Sequence, residues 1–153
     1  VIISESTQAE KIVDGSYDVM YVDLLHIGMD EEFEVIVDQI ENGTIKVNKI
    51  VFLATAGMDN EIDPQWLEVQ DLKELLLEVK YVAKLVDETE LPYTILRPVE
   101  VQNEVQEDGF DIIAEGQQIT DAKISEDALG QAVLEAIVTN NYINQSIGIS
   151  SKR

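Results

Sequence analysis

Cysteine is absent from the 153 residues, which excludes disulfides, thiolate zinc sites and cysteine nucleophiles. Histidine occurs once, at His26, so neither a histidine metal cluster nor a helical zinc-binding pair exists. A capping or packing role in the loop after the second strand is expected of it. No apolar run approaches the ~20 residues of a membrane span, and no basic stretch leads into an apolar one as in a secretory signal. A cytoplasmic protein is the resulting expectation. Basic residues are scarce, 10 against 31 acidic, and the net charge of −21 repels phosphate backbones and anionic lipid. Nucleic acid and membrane surfaces are set aside as partners. The charge reads as solubility, with a basic partner or a salt-adapted host as alternatives. There is no Gly-x-Ser-x-Gly elbow and no P-loop. Asp59-Asn60-Glu61-Ile62-Asp63 has the acid density of a calcium loop, but Pro64 stands where such a loop needs glycine and Gln70 where it needs a bidentate glutamate. A solvated acidic loop is expected there.

What is present is an alternation of short apolar runs with longer helical patterns, the mark of βαβ units and a mostly parallel sheet covered on both faces. The fold class is therefore α/β, in a single domain. Val1-Ile2-Ile3 reads as a strand, Thr7 to Val13 as a short helix, and Asp18 to Val22 as a buried strand after a turn at Gly15-Ser16. Asp30 to Ile40 places Phe33, Ile36, Val37 and Ile40 at helical spacing, with Asp30, Glu31 and Glu32 at the end where the dipole favours negative charge. Asn42-Gly43 ends it. Lys49 to Ala54 is the clearest central strand, and Thr55-Ala56-Gly57 turns at its carboxyl end, where open α/β sheets bind ligands.

After Pro64 a helix of about six turns is expected from near Gln65 to Glu88. Leu72, Leu76, Val79, Ala83 and Val86 form its stripe, widened by Leu75, Leu77, Val82 and Leu85. Such a stripe faces the sheet on one side and another helix, or a second subunit of a homodimer, on the other. Tyr93 to Leu96 is the next strand and Phe110 to Ile113 another. A helix over Ser125 to Thr139 opens with an N-cap serine and two acids. Ser146 to Ile149 is expected to close the sheet.

The run Leu91-Pro92-Tyr93-Thr94-Ile95-Leu96-Arg97-Pro98 after a long helix, followed by Ile124-Ser125-Glu126-Asp127, resembles an atypical short-chain dehydrogenase/reductase, NmrA-like or of the NAD-dependent epimerase/dehydratase kind. The resemblance covers the C-terminal two-thirds of such a domain. It implies a Rossmann-like, doubly wound, mostly parallel sheet, incomplete at its N-terminal βαβα unit, because the glycine-rich first βα turn is not in the sequence. NAD or NADP is the implied cofactor, a small molecule the implied substrate, and oxidoreductase or epimerase/dehydratase chemistry the implied activity.

By the same resemblance Thr55 takes the place of the family's Ser or Thr beside the nicotinamide, where its hydroxyl would bond a substrate carbonyl. Val22, Asp23 and Leu24 are implied cofactor contacts after one strand, Thr55, Ala56 and Gly57 after the next, and Pro98 and Val99 after a third. The same residues also admit plainer readings: a threonine at a strand end, a solvated Asp23. Arg97, one of two arginines, reads as half of a structural ion pair holding the last helices. The family's Tyr-x-x-x-Lys pair is not found; Tyr81 and Lys84 stand three apart, and Lys80 has Leu76 four residues upstream. A non-catalytic dinucleotide sensor or protein-interaction module on the same scaffold is therefore the alternative.

Overall fold

The computed structural model describes residues 1–4, 12–66, 71–102 and 109–152. Six strands form the main sheet in the order β1 (Ile2–Ser4), β3 (Met20–Asp23), β5 (Ile50–Leu53), β6 (Tyr93–Pro98), β10 (Gln145–Ser151) and β8 (Phe110–Ile113). The first five run parallel and β8 is antiparallel to β10. Two short parallel pairs lie beside it: β2 (Gly15–Tyr17) with β4 (Ile45–Val47), and β7 (Glu100–Val101) with β9 (Lys123–Ile124).

The register decides which side chain faces which layer. Met20 pairs with Ile50 and Val22 with Phe52, and these side chains, with Ile95, enter the cluster under the helices α1 (Met29–Glu41) and α2 (Leu72–Glu88). The alternate residues Val51 and Leu96 belong to the opposite cluster, under α3 (Glu126–Val138). Residues Ile50 to Phe52 are buried on both faces, which explains their continuous apolar run. Helix α3 approaches closely because Ala128, Ala132 and Ala136, each 1% exposed, present only methyl groups to the sheet. On the other face α1 buries Met29, Phe33, Ile36 and Val37, each contributing about 1.5–3 kcal/mol by leaving water.

Several expectations change. Gly15-Ser16 is strand rather than turn, because β4 offers it a partner. The long helix begins at Leu72; Pro64–Trp66 is a single 3₁₀ turn, and Asp71 is left-handed at φ 54°, so no continuous helix runs from Gln65. Most of the short helix expected over Thr7 to Val13 lies outside the described residues. The last strand does not close the sheet: β10 lies between β6 and β8, and β8 is the edge. The helix expected on the far flank of α2 is α1, and Leu77 is left 62% exposed.

Candidate functional site

Parallel strands bring their carboxyl ends to one edge, and there the structure assembles most of the expected residues. The ladder continues past the formal strand ends: Ala54 N–H donates to Leu96 O (2.8 Å), Ala56 N–H to Pro98 O (2.9 Å) and Val99 N–H to Ile149 O (3.0 Å). Thr55, Ala56, Pro98 and Val99 thus form one wall, almost wholly buried. The Thr55 hydroxyl donates to Ala56 O at 3.0 Å and must rotate to meet a ligand. Val22 and Leu24 are buried at the end of β3, so any contact from them is limited. Asp23 is half-buried and opens with Leu53, Leu129 and Glu126 onto a groove of about 350 Å³ against α3. Tyr21 borders the same groove, and its phenol is pushed up to about 12 by burial and then by the Asp23 charge. It keeps its proton across the neutral range.

A dinucleotide also needs somewhere for its pyrophosphate, ordinarily a helix N-terminus with free amides. Each of the three described helices carries acid in its first turn, which opposes a phosphate there. The N-terminus of α3 is capped by Ser125, whose Oγ accepts from Ala128 N–H at 3.0 Å, and carries Glu126 and Asp127 in its first turn. Helix α2 starts from the left-handed Asp71 with no side-chain cap. Helix α1, which follows β3, carries Asp30, Glu31 and Glu32 in its first turn, and Gly28 N–H just before it donates to Glu78 Oε1 (2.7 Å) from α2. His26 lies in that loop against Glu32 (3.2 Å), the local role expected of it.

Glu78 carries a measurable consequence. Its Oε2 is buried without a donor, with Asp30 beside it. Burial, then the hydrogen bond to Asp30, raise the Glu78 pKa; the charges of Asp30 and Glu74 add to this, and the Gly28 amide opposes it. An acid with a raised folded pKa contributes stability that is full below its unfolded value and is lost as pH climbs through the folded one. Glu78→Gln keeps the acceptor for Gly28 and gives Asp30 a donor. The expected result is a variant more stable than wild type at neutral pH by up to about 1 kcal/mol, with the gap closing in acid. Urea midpoints of both proteins across that pH range measure it.

Acid–base chemistry of the family's tyrosine type requires a lowered phenol pKa. Tyr81 moves the other way, because its hydroxyl donates to Glu34 Oε1 at 2.6 Å, and Lys84 reaches Glu88 at 3.7 Å instead of the phenol. Tyr93 and Tyr142 are also raised, first by burial.

The loop Asp59 to Asp63 is not the solvated segment expected. Glu61 is 2% exposed and forms an ion pair with Arg97, which is 0% exposed. The Arg97 Nε also donates to Ser146 Oγ at 2.9 Å and lies 3.7 Å from Asp59. The other Glu61 oxygen accepts the Gly57 N–H and, at 3.4 Å, that of Asp59; the Glu61 carbonyl accepts Ile119 N–H at 2.8 Å. Arg97 is thus half of a structural ion pair, but it ties the loop after β5 to β6 and β10 rather than holding the last helices. Among the described residues no three His, Asp or Glu side chains gather to hold a metal.

Comparison with known proteins agrees with this architecture. No curated protein matches the chain at a significant level. Among solved structures, a wide-type short-chain dehydrogenase/reductase from Veillonella parvula, determined in complex with NADP, superposes with a TM-score of 0.72 at 20% identity, over 88% of this chain and 63% of that one. A Rossmann-fold NAD(P)-binding family protein from Shigella flexneri gives 0.69 at 17% identity, over 94% and 64%. An oxidoreductase from Lactococcus lactis gives 0.65 at 17% identity, over 95% and 66%. The chain spans just under two thirds of the length of each. These likenesses establish the Rossmann-like fold, and the family model of NAD(P)H-binding proteins matches from residue 5 to residue 140, across both the strand-end wall and α3. The chain belongs to the NAD(P)H-binding family.

Proposed function

We propose that the chain carries the reactive-end wall of a nicotinamide dinucleotide site in an oxidoreductase-like protein of the atypical short-chain dehydrogenase/reductase type. The observation that carries this reading is the convergence of Thr55, Ala56, Pro98 and Val99 at the carboxyl edge of a parallel sheet. The role of each follows from its chemistry. Ala56, Pro98 and Val99, themselves buried, hold the strand-end backbone in place, so that the main chain and Thr55 are what a planar ring would meet. A rotated Thr55 hydroxyl donates to a carbonyl oxygen on which negative charge develops. Titration with NAD⁺, NADH, NADP⁺ and NADPH, read by thermal shift and nucleotide fluorescence, tests the cofactor; no response to any of the four overturns the reading. Thr55→Val, nearly isosteric, is expected to bind dinucleotide as wild type does while losing roughly 10²–10³-fold in turnover of a responsive carbonyl substrate.

A second reading, a dinucleotide sensor or protein-interaction module without turnover, is favoured by the tyrosines. Every described phenol with a perturbed pKa holds its proton more tightly than a free one, and Tyr81 and Lys84 are engaged apart. Binding without turnover of any carbonyl, quinone or sugar-nucleotide substrate supports this second reading.

A further inference from the structure

The turn after β5 is shaped by a carboxylate that comes from within the chain. Gly57 is left-handed at φ 102° and Asn60 at φ 58°, so the chain doubles back within four residues and its amides point inward. Glu61 sits where they converge, one oxygen on the Gly57 and Asp59 N–H groups and the other on the Arg97 guanidinium. Such inward-pointing amides form a concavity suited to an anion. Here a buried side chain fills it, and a cation on the neighbouring strand anchors that side chain. The turn that carries Thr55, Ala56 and Gly57 is thereby fixed relative to Pro98 and Val99.

We propose that Glu61 is a positioning residue for the candidate site: held by Arg97, its carboxylate sets the Thr55–Gly57 turn against the Pro98–Val99 wall. The relevance of that turn to a dinucleotide rests on the function proposed above; the positioning itself does not. The side chain serves both partners through its two separate oxygens. An amide in place of the carboxylate sets a donor against either Arg97 or Gly57 N–H, and a carboxylate one methylene shorter does not reach both.

Glu61→Ala leaves a space of carboxylate size between Arg97 and the Gly57 amide, which formate or acetate can enter. The expected result, at a temperature where circular dichroism shows the variant folded, is exchange of the Gly57 amide proton faster by about tenfold or more, and its return toward the wild-type rate when formate is added. Dinucleotide affinity is expected to weaken and recover in step. Glu61→Asp, which keeps a charge beside Arg97, is the second variant should the alanine form not fold; partial loss of Gly57 protection is expected of it. A variant with lowered thermal stability but wild-type protection at Gly57 overturns the proposal, since Glu61 would then be a buried structural acid and nothing more. A deprotected Gly57 in a protein that binds no dinucleotide even as wild type supports the positioning and removes the cofactor reading.

Discussion

Arg97→Met is expected to destabilise the chain by roughly 3–5 kcal/mol, a large share of the 5–15 kcal/mol that holds a typical domain together. Methionine fills much of the space, so the loss is electrostatic. Glu61, 2% exposed, keeps its place with no cation beside it, and Ser146 Oγ loses its donor. Arg97→Lys is not a mild version of the change: an ammonium has no planar fork with which to serve Glu61 and Ser146 together. The informative comparison is the double variant Arg97→Met/Glu61→Leu, in which both charges leave. Replacing a buried pair by apolar side chains is often close to neutral, so most of the loss is expected to return. A deficit of about 1–3 kcal/mol should remain, because the Gly57 and Asp59 amides lose their acceptor. Urea unfolding followed by Trp66, the single tryptophan, gives the three free energies. A single variant no less stable than the double would mean that Glu61 is not left stranded.

The parts of this fold that were legible in the sequence are those whose physics is local. Ile50 to Leu53 is continuously apolar because a central parallel strand is covered twice. The acids at the start of α1 and the Ser125 cap of α3 mark helix ends through contacts within one turn. Thr55, Pro98 and Val99 are suggested by resemblance, and the parallel register places them beside one another. What was not legible depends on distant partners. Nothing distinguishes Glu61 from its neighbours Asp59 and Asp63 except a guanidinium 36 positions later. Gly15-Ser16 looks like a turn until β4 pairs with it. The apolar pattern that runs on from α2 toward Gln65 hides the helix start, because periodicity does not see the left-handed Asp71. The place of β10 is obscured by Gly148: a Cβ there would sit 2.8 Å from Ile119 Cδ1, so the interior position is marked by a missing side chain rather than an apolar one.

Lys49 is the residue on which the sequence was most silent, and it provides the second large effect. It is 7% exposed at the start of the central strand, with Nζ donating to the carbonyls of Ala136 (2.7 Å), Ile137 (3.0 Å) and Thr139 (2.8 Å). Those oxygens belong to the last turn and cap of α3, where helix carbonyls lack intrahelical donors and the dipole favours a cation. The last turn of α3 has no basic residue of its own, so a lysine 87 to 90 positions earlier supplies the charge. Lys49→Met keeps the apolar stem and removes all three bonds; a loss of about 2–3 kcal/mol is expected, with faster amide exchange confined to the last turn of α3. This change should not touch the candidate site. Six residues of extended chain, roughly 20 Å, separate Lys49 from Thr55 at the other end of the strand, and the first turn of α3 keeps its Ser125 cap. Dinucleotide affinity and Gly57 protection are therefore expected to match wild type in Lys49→Met even though the chain is less stable. A parallel fall in affinity would show that the site responds to global loosening of the sheet, and the local role assigned to Glu61 would then need the formate rescue to stand.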